Sequence, residues 1–89
     1  MYSPAPFRMQ ARTLLILGRP QDALAAAERA LAHPGTVPAD AFVRLRALAA
    51  VGETDRAVAE LRRLKPDFER TVPYAEAVAE LRRLGLAVD

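Results

Sequence analysis

The sequence lacks the residues from which most catalytic centres and covalent frameworks are built. It contains no cysteine, which excludes a disulfide framework and a thiolate metal site. Its one serine, Ser3, lies near the N-terminus, and its one histidine, His33, lies at the end of a predicted helix. A serine or cysteine nucleophile beside a base therefore cannot be assembled within the fold. We interpret His33 as a helix-terminal residue facing the dipole and predict a non-catalytic protein.

Residues that bind phosphates, metals or other cofactors are also scarce. The four glycines are scattered, and none belongs to a glycine-rich phosphate loop. Glu76 and Glu80 lie one helical turn apart, but two carboxylates without a third ligand hold a metal poorly. We therefore interpret them as a solvated helix face, and we expect no metal and no cofactor.

Charge of one sign and long apolar runs are sparse as well. The net charge is +2, and only the first twenty residues carry arginines without acids, so nucleic acid is the weakest candidate partner. The longest strongly apolar run, from Leu14 to Leu17, is far too short to span a membrane. The N-terminus lacks the basic start and apolar stretch of a signal peptide. These features predict a cytoplasmic protein with no membrane insertion.

Alanine, leucine, arginine and glutamate, which favour helices, dominate the remaining composition. Prolines stand where amphipathic runs begin and glycines where they end, as expected at helix termini. Thr54 begins the fourth run and is a candidate N-cap. This punctuation predicts no strand and five helices, at about 5–17, 20–32, 38–51, 54–64 and 73–84.

An internal repeat organises these helices into pairs. Seven pairs of positions share an offset of 34 residues, and all lie on apolar faces or at the turn between helices. The pairs are Phe7 with Ala41, Ala11 with Leu45, Leu14 with Leu48, Gly18 with Gly52, Ala23 with Ala57, Ala27 with Leu61, and Ala30 with Leu64. A third copy begins at an offset of 33, with Tyr74, Val78, Leu81 and Gly85. The sequence therefore holds two helix pairs and a closing helix.

This helix–turn–helix repeat resembles the tetratricopeptide repeat family. The first copy carries the family's alternation of bulky and small residues at Phe7, Ala11, Leu14, Gly18, Ala23, Ala30 and Pro34. The second carries it at Leu45, Leu48, Gly52, Ala57 and Pro66. It departs from the pattern at Ala41, which replaces a bulky residue, and at Leu64, which replaces an alanine.

The resemblance implies an all-α fold in which antiparallel helix pairs stack as a short right-handed superhelix, closed by a C-terminal capping helix. It implies one domain with repeats at about 4–37 and 38–71 and a closing helix at about 73–86. It also implies a protein–protein interaction module that binds a peptide or helix through a concave groove. The last helix is similar to the ends of many bacterial repeat arrays.

In such arrays the first helix of each pair lines the groove. Here that position predicts four partner-binding residues, Arg8, Arg12, Phe42 and Arg46. Arginine forks suit carboxylates, so we expect a protein or peptide partner, and an acidic one would complement these arginines. The family's asparagine–lysine carboxylate clamp is absent, because the chain has no asparagine and its only lysine, Lys65, lies outside the groove. Ordinary solvated arginines remain the alternative interpretation.

Two further expectations concern the core and the first helix. The core should contain Leu14, Ala23, Leu45, Leu48, Ala57, Leu61 and Leu81. Met9, Leu15 and Ile16 cannot all face the second helix, so that surface should pack against a second copy, as a homodimer, or against a parent chain. The alternative function is thus a self-association or regulatory segment of a larger bacterial regulator or cyclase-like protein.

The eight residues from Ala57 to Leu64 recur unchanged from Ala77 to Leu84. Because this offset of 20 is out of register with the repeat, we interpret the recurrence as one amphipathic solution used twice. A shared docking face is the alternative.

Overall fold

The computed structural model describes residues 5–88, which include Arg8, Arg12, Phe42 and Arg46; Ser3 lies outside this range. Within it the chain forms five α-helices and no strand, which confirms the predicted all-α class. The helices are α1 (Ala5–Ile16), α2 (Pro20–Leu31), α3 (Pro38–Ala50), α4 (Thr54–Phe68) and α5 (Val72–Arg83).

The same turn closes α1, α3 and α5, so the repeat is visible in the backbone. After α3, Gly52 takes a φ of 96°, which favours glycine, and the N–H of Glu53 donates to the carbonyl of Leu48 at 2.9 Å. Equivalent bonds run from Arg19 to Leu14 and from Leu86 to Leu81, past glycines that also have positive φ. These tight turns reverse the chain after α1 and α3 and make antiparallel hairpins.

The helices pack as a stack of hairpins in two layers. Helices α1, α3 and α5 lie side by side, with α1 against α3 and α3 against α5. Helices α2 and α4 cover one side of this layer, and each contacts the helices before and after it in the chain. The molecule measures 39 × 29 × 18 Å, and its shortest dimension corresponds to two helices of about 10 Å diameter.

The core lies between the layers, and most predicted core residues are in it. Ala23, Leu45, Leu48, Ala57, Leu61 and Leu81 are all at most 2% exposed. Leu14 is the exception, because it is only partly buried against the small cluster of Ala11, Ala26, Ala27 and Val43. The predicted burial of this repeat position is thus confirmed for Leu48 in the second copy and only partly for Leu14 in the first.

Helix α4 is longer than predicted, since it continues through Pro66 to Phe68. A proline inside a helix removes one backbone donor and usually ends the helix nearby. Here the extension carries Phe68 onto the core, where its ring meets that of Phe42 edge-on at 6.0 Å. We attribute the tolerance of Pro66 to this apolar contact.

The start of α4 also differs from the prediction. Glu53 is the N-cap residue and makes no side-chain cap, whereas Thr54 is the first residue of the helix. The hydroxyl cap occurs at α5 instead, where Thr71 accepts a hydrogen bond from the N–H of Tyr74 at 3.4 Å.

The repeated octapeptide behaves as an amphipathic stripe, as interpreted. Ala57 and Leu61 in α4 and Ala77 and Leu81 in α5 are all buried. The glutamate and the second arginine form an ion pair on the exposed side of each copy, at 2.8 Å in α4 and 2.6 Å in α5.

The segment that follows α5 packs back onto the stack. Leu86 and Val88 lie partly buried against the core cluster. Val88 borders a small cavity of about 130 Å³ with Leu61 and Tyr74. The last helix therefore does not expose all of its apolar surface.

Candidate functional site

Arg8 is already engaged within the chain. Its Nη1 lies 2.9 Å from Oδ1 of Asp40 on α3, in an ion pair whose side chains are 22% and 0% exposed. The other carboxylate oxygen of Asp40 accepts a hydrogen bond from the backbone N–H of Val37 at 2.8 Å. Asp40 therefore caps the start of α3 and holds α1 against it. Arg8, which the sequence predicts as a partner-binding residue, instead joins the two hairpins.

Phe42 is 2% exposed and lies in the core. Its ring meets Phe68 and Tyr74 edge-on, at centroid distances of 6.0 and 6.2 Å, an arrangement that aromatic pairs prefer. The sequence predicts Phe42 as a partner-binding residue of the groove, but its side chain is buried and does not lie on that surface. The extension of α4 and the start of α5 bring two aromatic rings over it.

Arg44 lies on the side of α3 that faces α2 and α4. Its guanidinium is 3.9 Å from the carboxylate of Glu28 on α2 and 4.0 Å from that of Glu60 on α4. A hydrogen bond from Arg63 lowers the pKa of Glu60, and the charges of Arg63, Arg44 and Arg56 act in the same direction, against the effect of burial. This side of α3 is thus electrostatically satisfied.

Arg46 lies on the opposite side of α3, because two residues turn a helix by about 200°. No hydrogen bond or ion pair joins it to another side chain within residues 5–88, and its Nε is buried without a partner. Unpaired polar atoms of this kind are rare in proteins. A buried donor left without an acceptor costs about 1–3 kcal/mol.

Arg12 occupies the matching position on α1, one repeat earlier. Its side chain is exposed and has no ion pair within the described part of the chain. Because α1 packs directly against α3, the two arginines lie on neighbouring helices, whose axes are expected to be about 10 Å apart. We call the surface of α1 and α3 that carries Arg12 and Arg46 the basic face.

The basic face has an excess of positive charge. Helix α1 contains no acid, and the only acid of α3 is Asp40, which Arg8 neutralises. The surface beside Arg46 carries only small side chains on the next helical turn, where Ala49 is buried and Ala50 is exposed. The structure therefore brings Arg12 and Arg46 to one face, leaves Arg8 paired beside them, and removes Phe42 from it.

His33 lies beyond the end of α2 rather than within its last turn. Its ring stacks on the ring of Phe7, with 5.3 Å between centroids and 22° between planes. The guanidinium of Arg29 lies 5.6 Å from the centroid of the Phe7 ring. These contacts fasten the start of α1 to the end of α2.

A surface depression of about 590 Å³ lies between α1 and α2. It is lined by residues of both signs, including the Arg19–Asp22 ion pair at 2.6 Å, and by none of the four predicted binding residues.

Among residues 5–88, no three histidine, aspartate or glutamate side chains are grouped so that they could hold a metal ion. Over the same range, no helix is long and apolar enough to cross a membrane.

Sequence reasoning missed Asp40 and the network around Arg44. A signal for Asp40 is present, because an acid three residues after Val37, with Pro38 between them, is typical of a helix start. The repeat position placed Arg46 on the groove, but no pattern in the sequence shows that Arg44 lies between Glu28 and Glu60, because those residues belong to two other helices.

Comparison with protein families, curated proteins and solved structures gives no match to this chain.

Proposed function

We propose that this protein is a non-catalytic interaction module of the tetratricopeptide-like kind, which binds a segment of a protein partner across the layer formed by α1, α3 and α5. The observation that carries the proposal is the basic face. Two arginines there have no partner within residues 5–88, although most other arginines of the chain are paired.

The hairpin stack supports this proposal because it leaves one layer of helices uncovered. Helices α2 and α4 cover one side of α3, while the opposite side carries Arg46 and small residues. Stacked helical repeats characteristically use such extended surfaces for binding. The tetratricopeptide-like assignment itself is supported by the 34-residue offset and by the turn that recurs after α1, α3 and α5.

The test compares proteins captured by the wild type and by the double variant Arg12→Glu with Arg46→Glu. The matched control reverses two arginines outside the basic face, Arg62 and Arg70, which are exposed and also have no partner within residues 5–88. We expect partners from the native lysate to be lost only with the first variant. Capture of the same proteins by all three, with the fold intact by circular dichroism, would show that the basic face is not the binding surface.

Self-association is a second candidate, and the exposed apolar surface of α1 favours it. Met9 and Ile16 are 65% and 86% exposed and lie seven residues apart on one side of the helix, while Leu17 is 64% exposed. Leu15 is partly buried. Sedimentation equilibrium over a range of concentrations tests this function. A dimer that dissociates on Met9→Lys supports it, and a monomer at all concentrations contradicts it.

A further inference from the structure

We infer that Arg46 is the residue that recognises the partner, and that it does so by donating from its guanidinium to a side-chain carboxylate of an acidic peptide segment. This inference rests on the proposed function, because it assigns the ligand chemistry of the same basic face. It concerns one residue and one donor group, so it can fail while the proposed function stands.

The first step is the unpartnered donor. The Nε of Arg46 is buried and has no acceptor within residues 5–88, while the side chain as a whole remains partly exposed. The two terminal nitrogens of Arg46 also have no acceptor within residues 5–88, but unlike Nε they are not buried. A carboxylate that approaches from the exposed side can therefore reach these nitrogens and accept hydrogen bonds from them.

The second step is the contrast between Arg46 and Arg44 on the same helix. Arg44 has two carboxylates within 4.0 Å, from Glu28 and Glu60. Within residues 5–88, Arg46 has no carboxylate this close, and neither does Arg12 on the neighbouring helix. The chain thus pairs the arginine that faces α2 and α4 and leaves the two on the basic face available. An acidic ligand complements this excess of charge.

The third step decides between an acidic peptide and a nucleic acid. Single-stranded nucleic acids are held by arginines together with aromatic rings on which the bases stack. Phe42 and Tyr74 are buried, and Phe7 is occupied by His33 and Arg29. No aromatic ring lies on the basic face within the described residues. A carboxylate-bearing peptide is therefore the ligand that the surface fits.

The geometry gives the two arginines different roles. The two terminal nitrogens of a guanidinium form a fork that matches the two oxygens of a carboxylate. Arg46 can present this fork at the surface because its Nε is buried while its terminal nitrogens are not. Arg12 is exposed, so it acts on association rate and salt dependence rather than on geometry.

The experiment measures binding of a fluorescein-labelled decapeptide of alternating glutamate and alanine by fluorescence anisotropy. A decapeptide with glutamine in place of glutamate is the ligand control. The protein variants are Arg46→Lys, Arg46→Gln and Arg12→Gln. Arg62→Lys is the matched control, since Arg62 is exposed on α4 and has no partner among the described residues. The unfolding temperature of each variant is measured to confirm that it folds.

We expect the glutamate peptide to bind the wild type at least tenfold more tightly than the glutamine peptide. Arg46→Lys keeps the charge but removes the guanidinium fork, so it should weaken binding about tenfold, nearly as much as Arg46→Gln. Arg12→Gln should weaken binding less and reduce its salt dependence, and Arg62→Lys should leave binding unchanged.

Each alternative result overturns the inference in a distinguishable way. If Arg46→Lys binds the glutamate peptide as the wild type does, charge alone is sufficient and the guanidinium fork does not recognise the carboxylate, whereas the proposed function stands. If the two peptides bind alike, the partner is not recognised through carboxylates, and the lysate comparison still decides the proposed function. If a single-stranded oligonucleotide displaces the peptide at equal concentration, the ligand is a nucleic acid.

Discussion

The ion pair between Arg8 and Asp40 should couple the first hairpin to the second energetically. Asp40 is fully buried, and Arg8 approaches it at 2.9 Å from the preceding hairpin. Removal of either partner leaves an uncompensated group. We therefore expect Arg8→Met and Asp40→Asn each to destabilise the protein by about 2–3 kcal/mol, through loss of a charge-assisted hydrogen bond in a buried position.

The magnitude can be separated into two contributions. Asn at position 40 can still accept the N–H of Val37, so Asp40→Asn tests the ion pair alone, whereas Asp40→Ala also removes the cap and should cost about 1 kcal/mol more. Because Arg8 keeps 22% of its side-chain exposure, the loss should lie below that of a pair buried on both sides. The double variant should then show a coupling energy of about 1–2 kcal/mol.

Urea denaturation followed by circular dichroism measures these free energies of unfolding. The control is the same double-mutant cycle on Arg19 and Asp22, an ion pair with side chains 63% and 53% exposed, which should give less than about 0.5 kcal/mol. Equal coupling energies in the two cycles would refute the reasoning, because burial would then contribute nothing to the Arg8–Asp40 pair.

Three further predictions follow from the burial and the contacts. Leu48 is fully buried, so Leu48→Ala should lower the free energy of unfolding by about 2–5 kcal/mol. A loss below about 0.5 kcal/mol would show that the repeat register is wrong. Glu60→Gln should destabilise about 0.5 kcal/mol more than Glu80→Gln at neutral pH, because Arg44 adds a second cation at Glu60 only. The pKa of Glu60 is lowered from 4.5, so its stabilisation is present above that value and should disappear as the pH falls through the folded-state pKa; a pH-independent difference in urea midpoint would contradict this. Ile16→Lys, at a position 86% exposed, should change the unfolding free energy by less than about 0.5 kcal/mol, and a larger loss would place Ile16 in a packed interface.

The helices could be predicted from the sequence because their ends depend on local chemistry. Proline at a first helical turn and glycine with positive φ at the turn after each odd-numbered helix act through their own backbones. The 34-residue offset predicted which apolar positions meet, and six of the seven expected core residues are buried. Leu14 is only partly buried because no hairpin of the described chain packs against the outer side of α1 and α2.

The candidate site could be predicted only in part, because exposure depends on distant residues. Phe42 and Arg46 lie one turn apart on α3, yet the first is buried and the second is not. Phe68 makes the difference, since it covers Phe42 only because α4 continues through Pro66. The local rule for proline predicted the end of α4 at that point, so the burial of Phe42 was missed with it. The ion pair of Arg8 was missed for a similar reason, because its partner lies in another hairpin.

The most direct test of the account is an NMR titration that observes the arginine Nε–H signals of the intact protein while the glutamate–alanine decapeptide is added. The account predicts that the Nε–H signal of Arg46 shifts and saturates as the terminal nitrogens of the same guanidinium gain a carboxylate. The signal of Arg44, which already has carboxylates within 4.0 Å, should stay in place. An unmoved Arg46 signal at saturating peptide, or a larger shift at Arg44, would contradict the claim that the basic face binds acidic segments through Arg46.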